Sequence, residues 1–150
     1  MGMLLGKDGK TRAVQVNTGT DPAAITTLYI GLLATLPASY DGLALAGAGG
    51  IASYECPLTP SGWYTGRKAI TFGAVTSDAA GAIASNTGGA TSWQNLSGNT
   101  VSVAAFFITD AASGSTGSVL WVGTPDSGTI TLTDTSIIQY VAGNLTAKVD

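Results

Sequence analysis

Thr129-Ile130-Thr131-Leu132-Thr133 alternates without a break, with hydroxyl side chains on one side and aliphatic ones on the other. Successive side chains of a strand point to opposite faces, so this stretch has one wet face and one buried face. The pattern continues downstream. Ile137 to Val141 follows a short span beginning at Asp134, Gly143-Asn144 makes a turn, and Leu145, Ala147 and Val149 then alternate with Thr146, Lys148 and Asp150. Just upstream, Ser118 to Gly123 also reads as a strand. Short strands divided by turn residues at this spacing define a sandwich, jelly roll or barrel.

The rest of the chain fits the same class. Val101 to Thr109 is the longest strand candidate. Val101, Val103, Ala105 and Phe107 share one face and Phe106 and Ile108 take the other, which implies cover on both sides. Arg67 to Phe72 alternates, with Lys68, Ile70 and Phe72 on one face, and Leu28 to Leu33 is an apolar strand ended by Pro37. Ile51 to Cys56 predicts another strand, before turns at Pro57, Pro60 and Ser61-Gly62. Gly73 to Ser92 is only weakly patterned. Asp21-Pro22 opens a short helical turn, and Ala13 to Val16 a small strand. No long helical period occurs. The expected fold is therefore all-β: an antiparallel β-sandwich or jelly-roll-like single domain over residues 18–150, preceded by an extended N-terminal arm, residues 1–17. Phe72, Phe107, Ile130, Leu132 and Leu145 are the expected core.

Only 10% of the 150 residues are charged, where about 25% is usual. Gly numbers 21, and Thr and Ser supply the polarity instead. β proteins commonly guard strand edges with charge or cover, so cover by neighbouring subunits, a homo-oligomer, is expected. A net charge of −3 opposes a nucleic-acid partner, because phosphate binding needs a basic face. No apolar run approaches the ~18 residues of a membrane span, and Met1 to Arg12 lacks the apolar core of a secretory signal. Lys7, Lys10 and Arg12 form a basic cluster, read either as a solvated tail or as an arm docking on an acidic protein shell. Tyr40 to Gly50 is a Gly- and Ala-rich loop that would order against a partner. Val14 and Val16 of the arm, with Tyr40, Leu43 and Leu45 of the loop, join the basic cluster as the expected partner contacts.

Catalytic chemistry is poorly provided for. Without His, the usual triads and the commonest metal ligand are missing. Cys56 has no imidazole to activate it and no second cysteine to pair with. Asp110, Asp126 and Asp134 sit in turn-like contexts that suit loop capping better than a carboxylate pair or a cation site. No Gly cluster has phosphate-loop spacing. No enzyme activity, cofactor or metal is expected. Trp63, Tyr64, Trp93 and Trp121 read as core or interface residues, or alternatively as a sugar-binding platform.

Several motifs, in order, carry a resemblance. Tyr29-Ile30-Gly31-Leu32-Leu33 with Pro37 resembles the Tyr-Val-Gly-Leu-Leu…Pro opening of a family of small tailed-bacteriophage virion proteins, labelled tail-fibre-like or head-decoration-like. Gly62 through Phe72 is similar to that family's Gly-Tyr-x-Arg-x-Ala-Val-Thr-Phe, with added spacing around Trp63 and Gly66. Trp93 matches a Trp before the longest strand. Phe106 through Gly114 resembles Phe-x-Ile-Phe-Asp-Ala-Ala-Ser-Gly, with Thr109 in place of an aromatic. Val119 through Gly123 matches Leu-Leu-Tyr-x-Gly, and Asp134, Tyr140, Gly143 and Leu145 match the close. The resemblance implies a virion component with no catalytic residues. It points to a capsid decoration protein, a homo-trimer bound to the major capsid protein or another virion protein. A tail or neck fibre component and a carbohydrate-binding β module are the alternatives.

Overall fold

The structure, a computed structural model, describes residues 2–5, 8–11, 25–40, 43–59, 62–78 and 81–149. Strand makes up 40% and helix 7% of the chain, so the fold is all-β. The strands among the described residues are β1 (Gly2–Leu5), β2 (Leu28–Leu33), β3 (Lys68–Phe72), β4 (Thr76–Asp78), β5 (Gly81–Thr87), β6 (Thr91–Gln94), β7 (Val101–Val103), β8 (Ala105–Thr109), β9 (Val119–Gly123), β10 (Ile130–Leu132), β11 (Ile137–Tyr140) and β12 (Thr146–Val149).

One sheet runs β12-β1-β9-β8-β2-β3-β5-β4, and β12 also pairs with β5. The ladder therefore closes on itself. β4 falls outside the ring and continues the line of β3 along the same edge of β5. The ring holds an odd number of strands, so it cannot be antiparallel throughout. Its parallel pair is β1–β12, with Gly2 opposite Thr146. The facing walls expected of a sandwich are thus opposite sides of one curled sheet. Closure removes the exposed edges that so uncharged a sheet would otherwise present.

Two cores result. Ile30 and Leu32 of β2, Ile70 of β3, Phe106 and Ile108 of β8 and Ala147 of β12 meet in a first cluster. It draws on strands around the ring and is the barrel interior. Two ribbons, β7–β10 and β6–β11, close one end and add Val103, Leu132, Trp93, Ile138 and Tyr140. The Tyr140 ring lies 5.6 Å from that of Phe106. Lys68 Nζ donates to the Ser92 carbonyl (2.6 Å) and Trp93 Nε1 to that of Gly66 (2.7 Å), tying the cap to β3.

The second cluster lies on the outer wall of β2, β8 and β9, where Leu33, Ala105, Phe107, Val119 and Val122 meet Leu45 and Ile51. Every residue of β8 is buried, as apolar residues on both faces require. Phe107, Leu132 and Leu145 are buried, and Phe72 and Ile130 are partly buried against the interior cluster.

Three expectations are corrected. Val101 to Thr109 is two strands, because Ala104 leaves the ladder to donate its N–H to Leu33. β7 then pairs with β10, and the break changes the alternation: Val103 faces the interior with Phe106, while Ala105 and Phe107 face outward. Ile51–Tyr54 is a 3-10 turn rather than a strand. Its Ser53 N–H bonds to the Gly50 carbonyl, and the turn drives Ile51 into the outer core. Finally, the weakly patterned Gly73 to Ser92 stretch contains β4, β5 and the start of β6. β5 finds ladder partners on both edges, so its small side chains suffice. The expected elements at Ala13 to Val16 and at Asp21-Pro22 lie outside the described residues.

Candidate interaction surfaces

The densest polar cluster sits where the outer cover meets the barrel. Arg67 precedes β3, and its side chain is 1% exposed. Its Nε and Nη2 donate to Glu55 Oε1 (3.1 Å) and Oε2 (2.8 Å), a two-pronged ion pair. Nη1 and Nη2 also donate to the carbonyls of Ala111 (3.1 Å) and Gly114 (2.7 Å). The guanidinium stands 5.0 Å from the centre of the Phe107 ring. Tyr64 Oη donates to Glu55 Oε1 (3.0 Å) and accepts from Leu32 N (3.3 Å). That N–H lies where β2 exchanges β3 for the Glu55 segment as its neighbour. Gly31 is essential to this packing, since a Cβ there would meet the Phe107 ring at 2.4 Å. Arg67 thus ties the cover formed by residues 34–40 and 43–56, the 110–118 loop and the barrel together. The sequence reading missed this pair. Its signal was a lone Glu between Tyr54 and Cys56, in a chain with few basic residues to answer it.

Among the described residues, Cys56, Tyr64 and Tyr140 are sealed in the interior. Cys56 is buried, and burial, followed by the negative charge of Glu55, pushes its thiol up to about 12. At neutral pH it stays a protonated thiol and a poor nucleophile. Burial also raises Tyr64, reinforced by Glu55, and Tyr140, reinforced by Cys56. In the unfolded chain these groups ionise near their ordinary values, 9.0 for the thiol and 10.0 for the phenols. Above about pH 9 the unfolded state therefore binds fewer protons than the folded state, and stability falls as pH rises. Urea midpoints measured across the alkaline range should show this decline from about pH 9 upward, and a flat profile to pH 12 would contradict it.

Asp110 Oδ1 accepts from Ser118 N (2.7 Å) and Asp134 Oδ1 from Gly98 N (3.0 Å), so both carboxylates fasten loops. Among the described residues no three His, Cys, Asp or Glu side chains gather as a metal site. Trp63, Tyr64 and Trp93 are buried and Trp121 is half-buried, so these rings make no open platform.

The expected partner contacts fall in different places. Leu45 is 1% exposed and belongs to the chain's own outer core, and Tyr40 and Leu43 are partly buried against it. A β8 with apolar residues on both faces needs such a cover, and these three apolar side chains in a Gly-rich loop supply it. Lys10 is exposed in a helical turn at residues 8–11. Lys7, Arg12, Val14 and Val16 lie outside the described residues. Residues 2–5, expected within the arm, are β1 of the barrel, between β9 and β12.

What the described body shows to solvent is largely uncharged. Ile137 is exposed on β11 with Gln94 opposite it, and Leu96 is exposed in the loop after β6. A shallow cleft of about 310 Å³ is lined by Trp63, Ser97, Asn99, Ser102 and other uncharged residues. Such surfaces suit neutral protein contact. Comparison with protein-family models and with curated proteins finds no match.

Proposed function

We propose that this chain is a structural protein of a tailed-bacteriophage virion, a capsid decoration protein that bridges neighbouring capsid subunits as an oligomer. One observation carries the physical side of the reading. Arg67, Glu55, Asp110 and Asp134 are engaged in holding the fold's own loops, while the exposed side of the β6–β11 ribbon, Gln94, Ile137 and Gln139, carries no charge. The ordered motifs from Tyr29 to Leu145 supply the virion class. Sealed Trp63 and Trp93 favour this reading over a sugar-binding module. Function is then contact free energy: interfaces of ~1,600 Å² per site, multiplied by avidity over a lattice.

The test mixes purified protein with phage particles lacking it, then measures occupancy and heat resistance. The expected result is saturable binding that raises the temperature at which heads release DNA. Absence of binding to heads, with antibody labelling at the tail or neck, would favour a fibre component instead.

A further inference from the structure

The capping ribbon ends in an open strand edge. Among the described residues β11 has one ladder neighbour, β6. Ile137 lies opposite Gln94, and beside that pair Asn95 donates its N–H to the Ser136 carbonyl. Opposed residues of an antiparallel ladder alternate between hydrogen-bonded and non-hydrogen-bonded pairs. Ser136, Ile138 and Tyr140 therefore face β6 with their backbone groups, and those of Ile137, Gln139 and Val141 point away from it. The side chains of these last three are exposed, whereas Ile138 and Tyr140 are buried. We infer that this edge pairs antiparallel with β11 of a second copy of the chain, about a two-fold axis at Gln139. The inference rests on the oligomeric reading above and names one contact of that oligomer.

Three features select a second copy. First, the edge is unguarded. Natural sheets blunt an open edge with Lys or Pro among other devices; β11 carries neither, and no residue from Thr135 to Asn144 is charged. Two identical edges brought together therefore oppose no like charges. Second, the exposed pattern is its own complement. A two-fold axis at Gln139 sets Ile137 of each copy opposite Val141 of the other and the two Gln139 side chains opposite each other. Apolar then meets apolar and amide meets amide, and Ile137 and Val141, 57% and 40% exposed, gain cover. An isologous contact requires this kind of self-complementarity. Third, the backbone bonds fit. The Val141 carbonyl already accepts from Asn86 Nδ2 (2.9 Å) and Asn144 N (3.1 Å), while its N–H faces the edge. Each Gln139 N–H then donates to the Gln139 carbonyl of the other copy, and each Val141 N–H to the other's Ile137 carbonyl. The two ribbons become one sheet in the order β6-β11-β11-β6.

The register supplies the test. The full chain carrying Gln139→Cys is oxidised mildly and run on a non-reducing gel; the native Cys56 is buried and does not compete. Opposed Cα atoms of a hydrogen-bonded pair stand about 5.5 Å apart, within disulfide reach. Two-fold pairing therefore predicts a covalent dimer as the main oxidised product, with the 139–139 link found by mass spectrometry. Ile137→Cys should stay unlinked alone, because its two copies lie out of register, and should link when mixed with a Val141→Cys chain. Separately, Gln139→Lys sets like charges against each other at the axis. It should halve the sedimenting mass while leaving the circular dichroism spectrum and urea midpoint unchanged. No 139–139 link, or Ile137→Cys linking to itself, would overturn the inference. Monomeric protein that loses particle binding with Gln139→Lys would put another protein's strand on this edge and overturn it too. Oligomers or particle binding that persist without the 139–139 link would refute this contact alone and leave the proposed function standing.

Discussion

Truncating Phe107 to Ala lowers the unfolding free energy by about 3–5 kcal/mol, the range for removing a fully buried aromatic side chain. Phe107 has no solvent exposure and belongs to the outer core, away from the barrel interior. Its ring lies against Gly31 on one side and near the Arg67 guanidinium on another. The variant leaves a void that neighbours cannot close without moving β2 or the cover. It also removes a cation–ring contact worth roughly 0.5–2 kcal/mol. Equilibrium urea unfolding measures the loss. A change under about 1 kcal/mol would mean that β8 is not covered on its outer face.

Glu55→Ala has an effect of similar size. It leaves the Arg67 guanidinium buried without its anion, and breaking a buried pair from one side costs about 3–5 kcal/mol. Tyr64 Oη loses its acceptor at the same time. Replacing both charges, Glu55→Leu with Arg67→Met, should recover part of that loss, since a buried pair is often replaceable by apolar side chains. Recovery should be incomplete, because Arg67 also holds the Ala111 and Gly114 carbonyls. Strict additivity of the single effects would contradict a direct ion pair.

The fold class was legible because local pattern and final environment agree in the C-terminal third. Ile130 and Leu132 alternate with Thr because one side of the ribbon faces the core. Phe106 and Phe107 together announced a strand covered twice. What stayed hidden depends on distant partners. β5 has little apolar alternation and is fixed by β12, β3 and β4. Ile51 is drawn into a turn by the wall beneath it, and Ala104 breaks a continuous apolar run because β7 finds its partner in β10. A Gly-rich loop carrying Leu43 and Leu45 suggests a partner-facing surface, yet the chain's own outer wall buries Leu45 and partly covers Leu43. The Glu55–Arg67 pair spans the turns at Pro57 and Gly62, a separation that no period reveals.

The central claim, that this barrel decorates a capsid, is tested most directly by a reconstruction of the virion at a resolution that resolves strands. The account predicts density for the closed ring and its capping ribbons at regular positions over the capsid lattice, in contact with more than one capsid subunit. Density for the barrel confined to the tail or neck, or missing from the particle altogether, would contradict it.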